Sequence, residues 1–291
     1  MQHFAHVSDP HLTPLHDVPR RSLLGKRALG YLSWTRRRRH RHLPALLERV
    51  SDDLRAWAPD HIAVTGDLTQ IGLAAEHTLA RHWLHRLGPP ASVSLSPGNH
   101  DFYARDSART LYTAWAGYLP GPDAWPHRRD CGELSFISLC SGTPSGAAFA
   151  TGTLGPAQLE RLRQVLRDTA GRFRAVLVHH SPHPRSHAWR KRLTDARALR
   201  AVLAAEGAEL VLHGHAHSAS LVWLEFGDRR IPVLGAPSAS LRSSDPSHRA
   251  GYQRVQVART DDGWRADVET RQCVGDAIET TATHALNLPR R

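Results

Sequence analysis

Cysteine is scarce in this 291-residue chain. Cys131, Cys140 and Cys273 are an odd number without metal-ligand spacing, which excludes a disulfide framework and makes a reducing compartment the default. Long apolar runs are missing too. The longest fall far short of the roughly 20 residues that a spanning helix needs, so no transmembrane segment is expected. The N-terminus moves straight into a short strand pattern and leaves nothing dispensable to cleave. Cytoplasmic residence is the expectation, with peripheral membrane contact open. Two nucleophile motifs are also absent. No Gly-x-Ser-x-Gly elbow occurs, Ser141 reads as loop, and no Gly-x-x-x-x-Gly-Lys-Ser/Thr run marks a phosphate-binding loop. There is no internal repeat, and the length suits one domain, residues 1–291, with insertions.

Present instead are five polar blocks: Asp9-Pro10-His11, Gly66-Asp67, Gly98-Asn99-His100-Asp101, His179-His180 and Gly214-His215-Ala216-His217. Each follows a short apolar run that reads as a buried strand: Phe4 to Ser8, Ile62 to Thr65, Val93 to Ser96, Ala175 to Val178 and Leu210 to Leu212. The polar residues therefore collect along one sheet rim, where open α/β sheets place ligand sites. Singly, each block has an ordinary explanation. Asp9 and His11 suit a capping turn, Gly98-Asn99 a common turn, and His215 and His217 a strand-end pair on one face. Jointly, the ordinary readings require five unrelated coincidences in one order.

The donors are oxygen and imidazole without cysteine, which suits manganese, iron or zinc and argues against a structural thiolate site. A carboxylate such as Asp67 can bridge two cations. Two metals roughly 3.5–4 Å apart hold a phosphoryl group and lower the pKa of a bridging water, so hydrolysis needs no covalent enzyme intermediate. The glycines before Asp67, Asn99 and His215 fit tight turns at a crowded centre.

The order Asp-x-His, Gly-Asp, Gly-Asn-His-Asp, His, Gly-His-x-His resembles the calcineurin-like metallophosphoesterase superfamily, in particular its bacterial branch of class III cyclic-nucleotide phosphodiesterases and glycerophosphodiesterases. The resemblance covers residues 9–217 and fills every ligand position. It implies an α/β (α+β) fold, a four-layer αββα sandwich with the site at one edge. It implies two divalent or trivalent metal ions, one held by Asp9, His11 and His217, the other by Asn99, His179 and His215, with Asp67 between them. His179 is favoured as the ligand because it directly ends its strand; His180 is the alternative. His100 would contact the phosphate and stabilise the leaving oxygen, with Asp101 orienting it. The implied activity is a phosphodiesterase acting through a metal-bridging hydroxide. A lipid-headgroup phosphodiesterase at the membrane surface and a non-catalytic scaffold are the alternatives.

The chain carries 21 histidines. His3, His6, His61, His77, His82, His85 and His213 lie in predicted strands or helices and read as packed or solvated, while His183 and His187 sit in a loop that reads as solvated surface, with reach to substrate the alternative. Net charge is +11. The basic residues concentrate in an insertion, residues 18–45, where Arg20, Arg21 and Arg36 to Arg41 interleave with Leu23, Leu24, Leu29, Tyr31, Leu32 and Trp34. This segment reads as a solvated loop, a lid at the site mouth, or a contact with an anionic membrane surface through Arg20–Arg41. Nucleic acid is disfavoured, because no recognition module or stacking platform is evident. Helices are predicted from Leu43 to Trp57, from Pro156 through Leu166 and from Asp195 to Glu206. Four late strands, Leu221–Phe226, Ile231–Leu234, Tyr252–Val257 and Trp264–Val268, read as one antiparallel meander, and residues 277–291 as a loose tail.

Overall fold

In the computed structural model, the described residues are 1–12, 15, 17–146, 148–184 and 188–289. Among these residues, twelve strands form two six-stranded sheets. The first contains β1 (Gln2–Val7), β2 (His61–Val64), β3 (Val93–Leu95), β10 (Gly251–Thr260), β11 (Gly263–Val274) and β12 (Ala277–Pro289), in the order β12-β11-β10-β1-β2-β3. The second contains β4 (His127–Cys131), β5 (Leu134–Ser138), β6 (Phe173–Leu177), β7 (Leu210–His213), β8 (Ser220–Phe226) and β9 (Arg229–Gly235), in the order β4-β5-β6-β7-β9-β8. Strands β1, β2 and β3 run parallel, as do β5, β6, β7 and β9.

Two-residue alternation along the strands builds the layers. Phe4 on β1 and Phe173, Ala175 and Leu177 on β6 face the core between the sheets, where Phe4 meets Phe136 edge to face. Ala5 and Val7 face the other way, onto Leu47, Val50 and Leu54 of α2 (Pro44–Trp57) and Trp83 and Leu84 of α3 (Ala74–Leu87). Val176 and Val211 likewise face Leu159 and Leu162 of α5 (Pro156–Asp168) and Leu199 and Leu203 of α6 (Ala196–Glu206). Helix, sheet, sheet, helix is the αββα order expected. Histidines inside the layers are satisfied rather than free. His6 is held by Gln253 and Thr65, and His61 bonds Ser94 while stacking on Phe136.

Two expectations are corrected. The late strands are not one meander: β8 and β9 form a hairpin in the second sheet, while β10, β11 and β12 are a meander on the first. Hairpin signals specify a turn, but long-range pairing of β9 with β7 and of β10 with β1 decides which sheet each joins. The tail expected over 277–291 is instead β12 as far as Pro289, and Leu286 and Leu288 plug the inter-sheet core. Its threonines are exposed and its inward apolar residues few, Leu286 and Leu288 with Ile278 partly buried near its start, so composition concealed it. Helix α4 (Ser107–Ala114) and the β4–β5 hairpin were not foreseen, and α3 was foreseen only as an element of unspecified type around His77, His82 and His85.

The basic segment folds onto the body as α1 (Lys26–Arg36) between short 3-10 turns. Trp34 is buried and packs with Leu15, Ile71 and Tyr103, with Leu23 and Tyr31 against them. Those three residues anchor the segment and are not part of an exposed interface pattern.

Candidate metal centre

The five blocks emerge at one rim because β1, β2 and β3 of one sheet and β6 and β7 of the other end there. Backbone bonds weld the turns: Asp9 N donates to Gly66 O at 2.9 Å, His11 N to Asp67 O at 3.1 Å, and Gly214 N to His179 O at 3.2 Å. Asp9, His11, Asp67, His215 and His217 all adopt left-handed backbone, with φ between 41° and 66°. Such conformations cost non-glycine residues of order 1–3 kcal/mol each and persist where the surroundings over-determine them. Gly98 and Gly214 serve close approach: a Cβ on Gly98 would overlap Asp67 Oδ1, and one on Gly214 would overlap Ser8 Oγ.

Two clusters result. In one, His217 Nε2 lies 3.1 Å from Asp9 Oδ1 and 3.1 Å from His11 Nε2. In the other, His179 Nε2 lies 3.2 Å from Asp67 Oδ2 and 3.2 Å from His215 Nδ1. Asp67 joins them, its Oδ2 also 4.0 Å from His11 Nε2. Asn99 is buried, with its Oδ1 free of any hydrogen bond among the described residues, as is Asp9 Oδ1.

The far sides of His179, His11, Asp9 and Asp67 are committed. His179 Nδ1 donates to Thr65 O at 2.6 Å and His11 Nδ1 to Thr69 O at 3.1 Å, so a neutral ring turns a bare Nε2 inward. Asp9 Oδ2 accepts from Ser8 Oγ and His215 N, and Asp67 Oδ1 accepts from His100 N at 2.7 Å. A bare imidazole nitrogen facing a carboxylate oxygen at 3.2 Å is repulsive unless a cation or proton lies between them. Burial opposes the proton on His179, yet Asp67 and Asp9 raise its pKa to about 9. Burial likewise opposes charge on Asp67, but His179, His100 and His11 hold that carboxyl well below the usual range. These orphaned oxygens and converging lone pairs fit oxygen- and nitrogen-binding metal ions.

His180 is turned differently. Its Nδ1 faces Ser141 Oγ at 2.8 Å and its Nε2 faces Ala150 O at 3.2 Å, although its ring packs 4.5 Å from that of His215. His213 is buried with Nδ1 on the Gly214 carbonyl. His183 lines a separate pocket with Arg200, and His187 lies outside the described residues.

His100 is buried enough to push its pKa down to about 4. Its Nδ1 donates to Gln70 O at 2.6 Å. Asp101 was expected to orient this ring and does not touch it. Its carboxylate is consumed by Leu68 N, Thr69 N and Thr69 Oγ1 on one oxygen and Gly98 N on the other, stapling the Asp67 loop to the Asn99 loop. Burial, then the charge of Asp67, push Asp101 up to about 7. Four donors aimed at it favour its ionised form.

Two neighbours escaped sequence reasoning. His42, whose Nδ1 meets Ser240 Oγ at 2.8 Å, brings its ring 4.5 Å from His11, close enough for one ligand atom each of His11, His42 and His217 to lie within 4.8 Å of one another. Arg38 donates to Gln70 O and Gly30 O, with Nη1 3.1 Å from His100 Nδ1. Both sit in a run whose composition reads as surface. No local signal separates them from their exposed neighbours. A cavity of about 330 Å³ opens over the centre, with His11, Asp67, His100 and His217 on its floor and Arg37, Arg41 and Lys191 on its walls.

The profile of the calcineurin-like phosphoesterases matches residues 2–219. A Synechococcus sp. protein described as a "Probable cyclic nucleotide phosphodiesterase" is 26% identical over 235 residues, 75% of this chain and 80% of that one. Among solved structures, a dimetal phosphatase from Danio rerio superposes with TM-score 0.60 at 17% identity, covering 97% of this chain and 99% of its own. GAP50 of Plasmodium, described as the anchor in the inner membrane complex, superposes with TM-score 0.57 at 12% identity, covering 100% of this chain and 90% of its own. At these identities the two structures speak for the fold alone.

Proposed function

The chain belongs to the calcineurin-like phosphoesterase family and is a metal-dependent phosphoric ester hydrolase, and from that premise we propose that it cleaves a phosphodiester at the rim where its two sheets end. The observation that carries the reading is the pair of clusters sharing Asp67. Asp9, His11 and His217 would hold one ion and Asn99, His179 and His215 the other, with Asp67 reaching both. His179 is preferred over His180 because its Nε2 faces Asp67 while both His180 nitrogens face protein groups. When bound, the ions supply Lewis acidity that polarises the phosphoryl group and acidifies water.

The remaining work falls to the chain. The Gln70 carbonyl holds the Nδ1 proton of His100 and leaves Nε2 bare, so a proton for the leaving oxygen would depart from Nε2 only after the ring has taken one up there, which an anionic ester beside it favours against the burial that holds it neutral. Arg38 holds the same carbonyl and keeps the Gln70 loop against α1. Arg37, Arg41 and Lys191 attract the anionic ester into the cavity. The diester preference leans on the Synechococcus relative. A non-catalytic scaffold is the weaker reading, because all seven ligand positions are filled and the catalytic histidine is in place.

The test compares bis-p-nitrophenyl phosphate with p-nitrophenyl phosphate, using chelated protein re-metallated with manganese, iron or zinc. Metal-restored turnover favouring the diester is expected. Faster monoester turnover with every metal would overturn the diester assignment, and no turnover of either ester would favour the scaffold.

A further inference from the structure

A groove of about 390 Å³ leads to Asn99 and His100, with α1 on one bank and Phe149 and Lys191 on the other. Large apolar side chains stand in water on the segments that form its banks. Leu24 is 75% exposed, Leu32 43% and Trp189 58%, and Trp189 meets Phe149 edge to face across 5.4 Å. Lys26 ties the banks together by donating to Ser145 Oγ at 3.0 Å and to Phe149 O at 3.4 Å. Leu29, 56% exposed, and Phe149, 37%, line the groove itself, so both banks carry exposed apolar side chains.

The charge around that rim has one sign. No Asp or Glu occurs in residues 18–47, 134–159 or 169–194, the stretches that supply both banks. Among the described residues, Arg36, Arg37, Arg190 and Lys191 are exposed and make no ion pair. An apolar rim inside a ring of unpaired cations complements a surface that is apolar within and anionic at its boundary. A second copy would bring like charge against like charge. Nucleic acid would satisfy the cations but leave Leu24 and Leu32 in water.

We propose that this face docks on an anionic lipid surface, with Leu24, Leu32, Phe149 and Trp189 entering the headgroup boundary and the groove turned toward it. The proposal deepens the phosphodiesterase reading: the substrate is a phosphoester presented at that surface, delivered along the groove to His100.

Docking is read without turnover, by sedimentation with phosphatidylglycerol/phosphatidylcholine vesicles and with pure phosphatidylcholine at roughly 0.1 M salt, where surface charge still acts over about 10 Å. The wild-type chain should partition onto the anionic vesicles at least about ten-fold more strongly. Leu24→Glu/Leu32→Glu should lose about ten-fold of that partition with unchanged melting temperature and unchanged hydrolysis of soluble bis-p-nitrophenyl phosphate. A vesicle-induced blue shift in tryptophan fluorescence should vanish in Trp189→Phe. Equal binding to both vesicle types, undiminished binding by the double variant, or tighter binding to single-stranded DNA than to anionic vesicles would each overturn the proposal. Loss of metal-dependent hydrolysis in the wild-type chain would sink the phosphodiesterase reading and leave the docking result standing.

Discussion

The metal centre and the basic rim lie on either side of the same cavity and are built on opposite principles. At the centre, four of the candidate donors carry a second bond that fixes them: His179 to Thr65, His11 to Thr69, Asp9 to Ser8 and the His215 amide, and Asp67 to the His100 amide. At the rim, Arg36, Arg37, Arg39 and Arg41 are exposed on an acid-free segment, while Arg27, Arg38 and His42 turn inward. Buried polar groups must be satisfied, so the centre admits one geometry. Exposed charges are cheap to move, so the rim tolerates change and acts through its summed field.

Substitution should break this contrast unevenly. The largest effect is expected from Asp67→Asn, which removes the charge shared by both clusters; turnover of a re-metallated sample should fall by on the order of 10⁴-fold, and a metal count that stays at two per chain with full activity would defeat its bridging role. Next comes Trp34→Ala, which empties the cluster that fixes the rim segment to Ile71 and Tyr103 and should cost roughly 3–5 kcal/mol in urea unfolding. A loss under about 1 kcal/mol would mean that the segment folds independently of the body.

His100→Ala should lower turnover by about 10²-fold or more while retaining bound metal; loss of metal in that variant would reassign His100 as a ligand. A smaller effect concerns the layers beneath the site. Burial, then the nearby Arg129, hold His61 down to about 4. An unfolded histidine titrates near 6.5, so between those values the unfolded chain binds the extra proton and stability falls as pH drops. The expected slope is about 1.4 kcal/mol per pH unit, and His61→Gln should flatten the urea-midpoint profile between pH 6.5 and 4. Smallest of all, Arg39→Ala should change stability by less than about 0.5 kcal/mol. A larger loss would show that the rim is as constrained as the centre.

Much of the centre was legible because its residue types are rare together and each block directly follows a strand. Strand ends are short-range features, and the apolar runs at Phe4, Ile62, Val93, Ala175 and Leu210 marked them. His42 and Arg38 were illegible because Arg37 to His42 looks uniform in sequence, and only the turn after α1 sends some side chains inward. Asp101 shows the complementary error. The resemblance implied that it orients His100, but its carboxylate is taken up by backbone donors instead. Residues from Ala277 onward looked like a tail because a strand's polar outer face and a loop have similar composition.

By itself, then, the sequence determined the candidate donor types, the strands that carry them and the surplus of positive charge, because these follow from residue type and short-range pattern, and its resemblance to a family implied the fold class. Tertiary structure decided the rest. It brought residues 9 and 217 within bonding distance, chose which of two adjacent histidines faces Asp67, sorted the late strands between two sheets, and buried Trp34 while leaving Trp189 exposed. Those outcomes depend on which surfaces exclude water against each other, a property of contacts between distant segments that no local window contains.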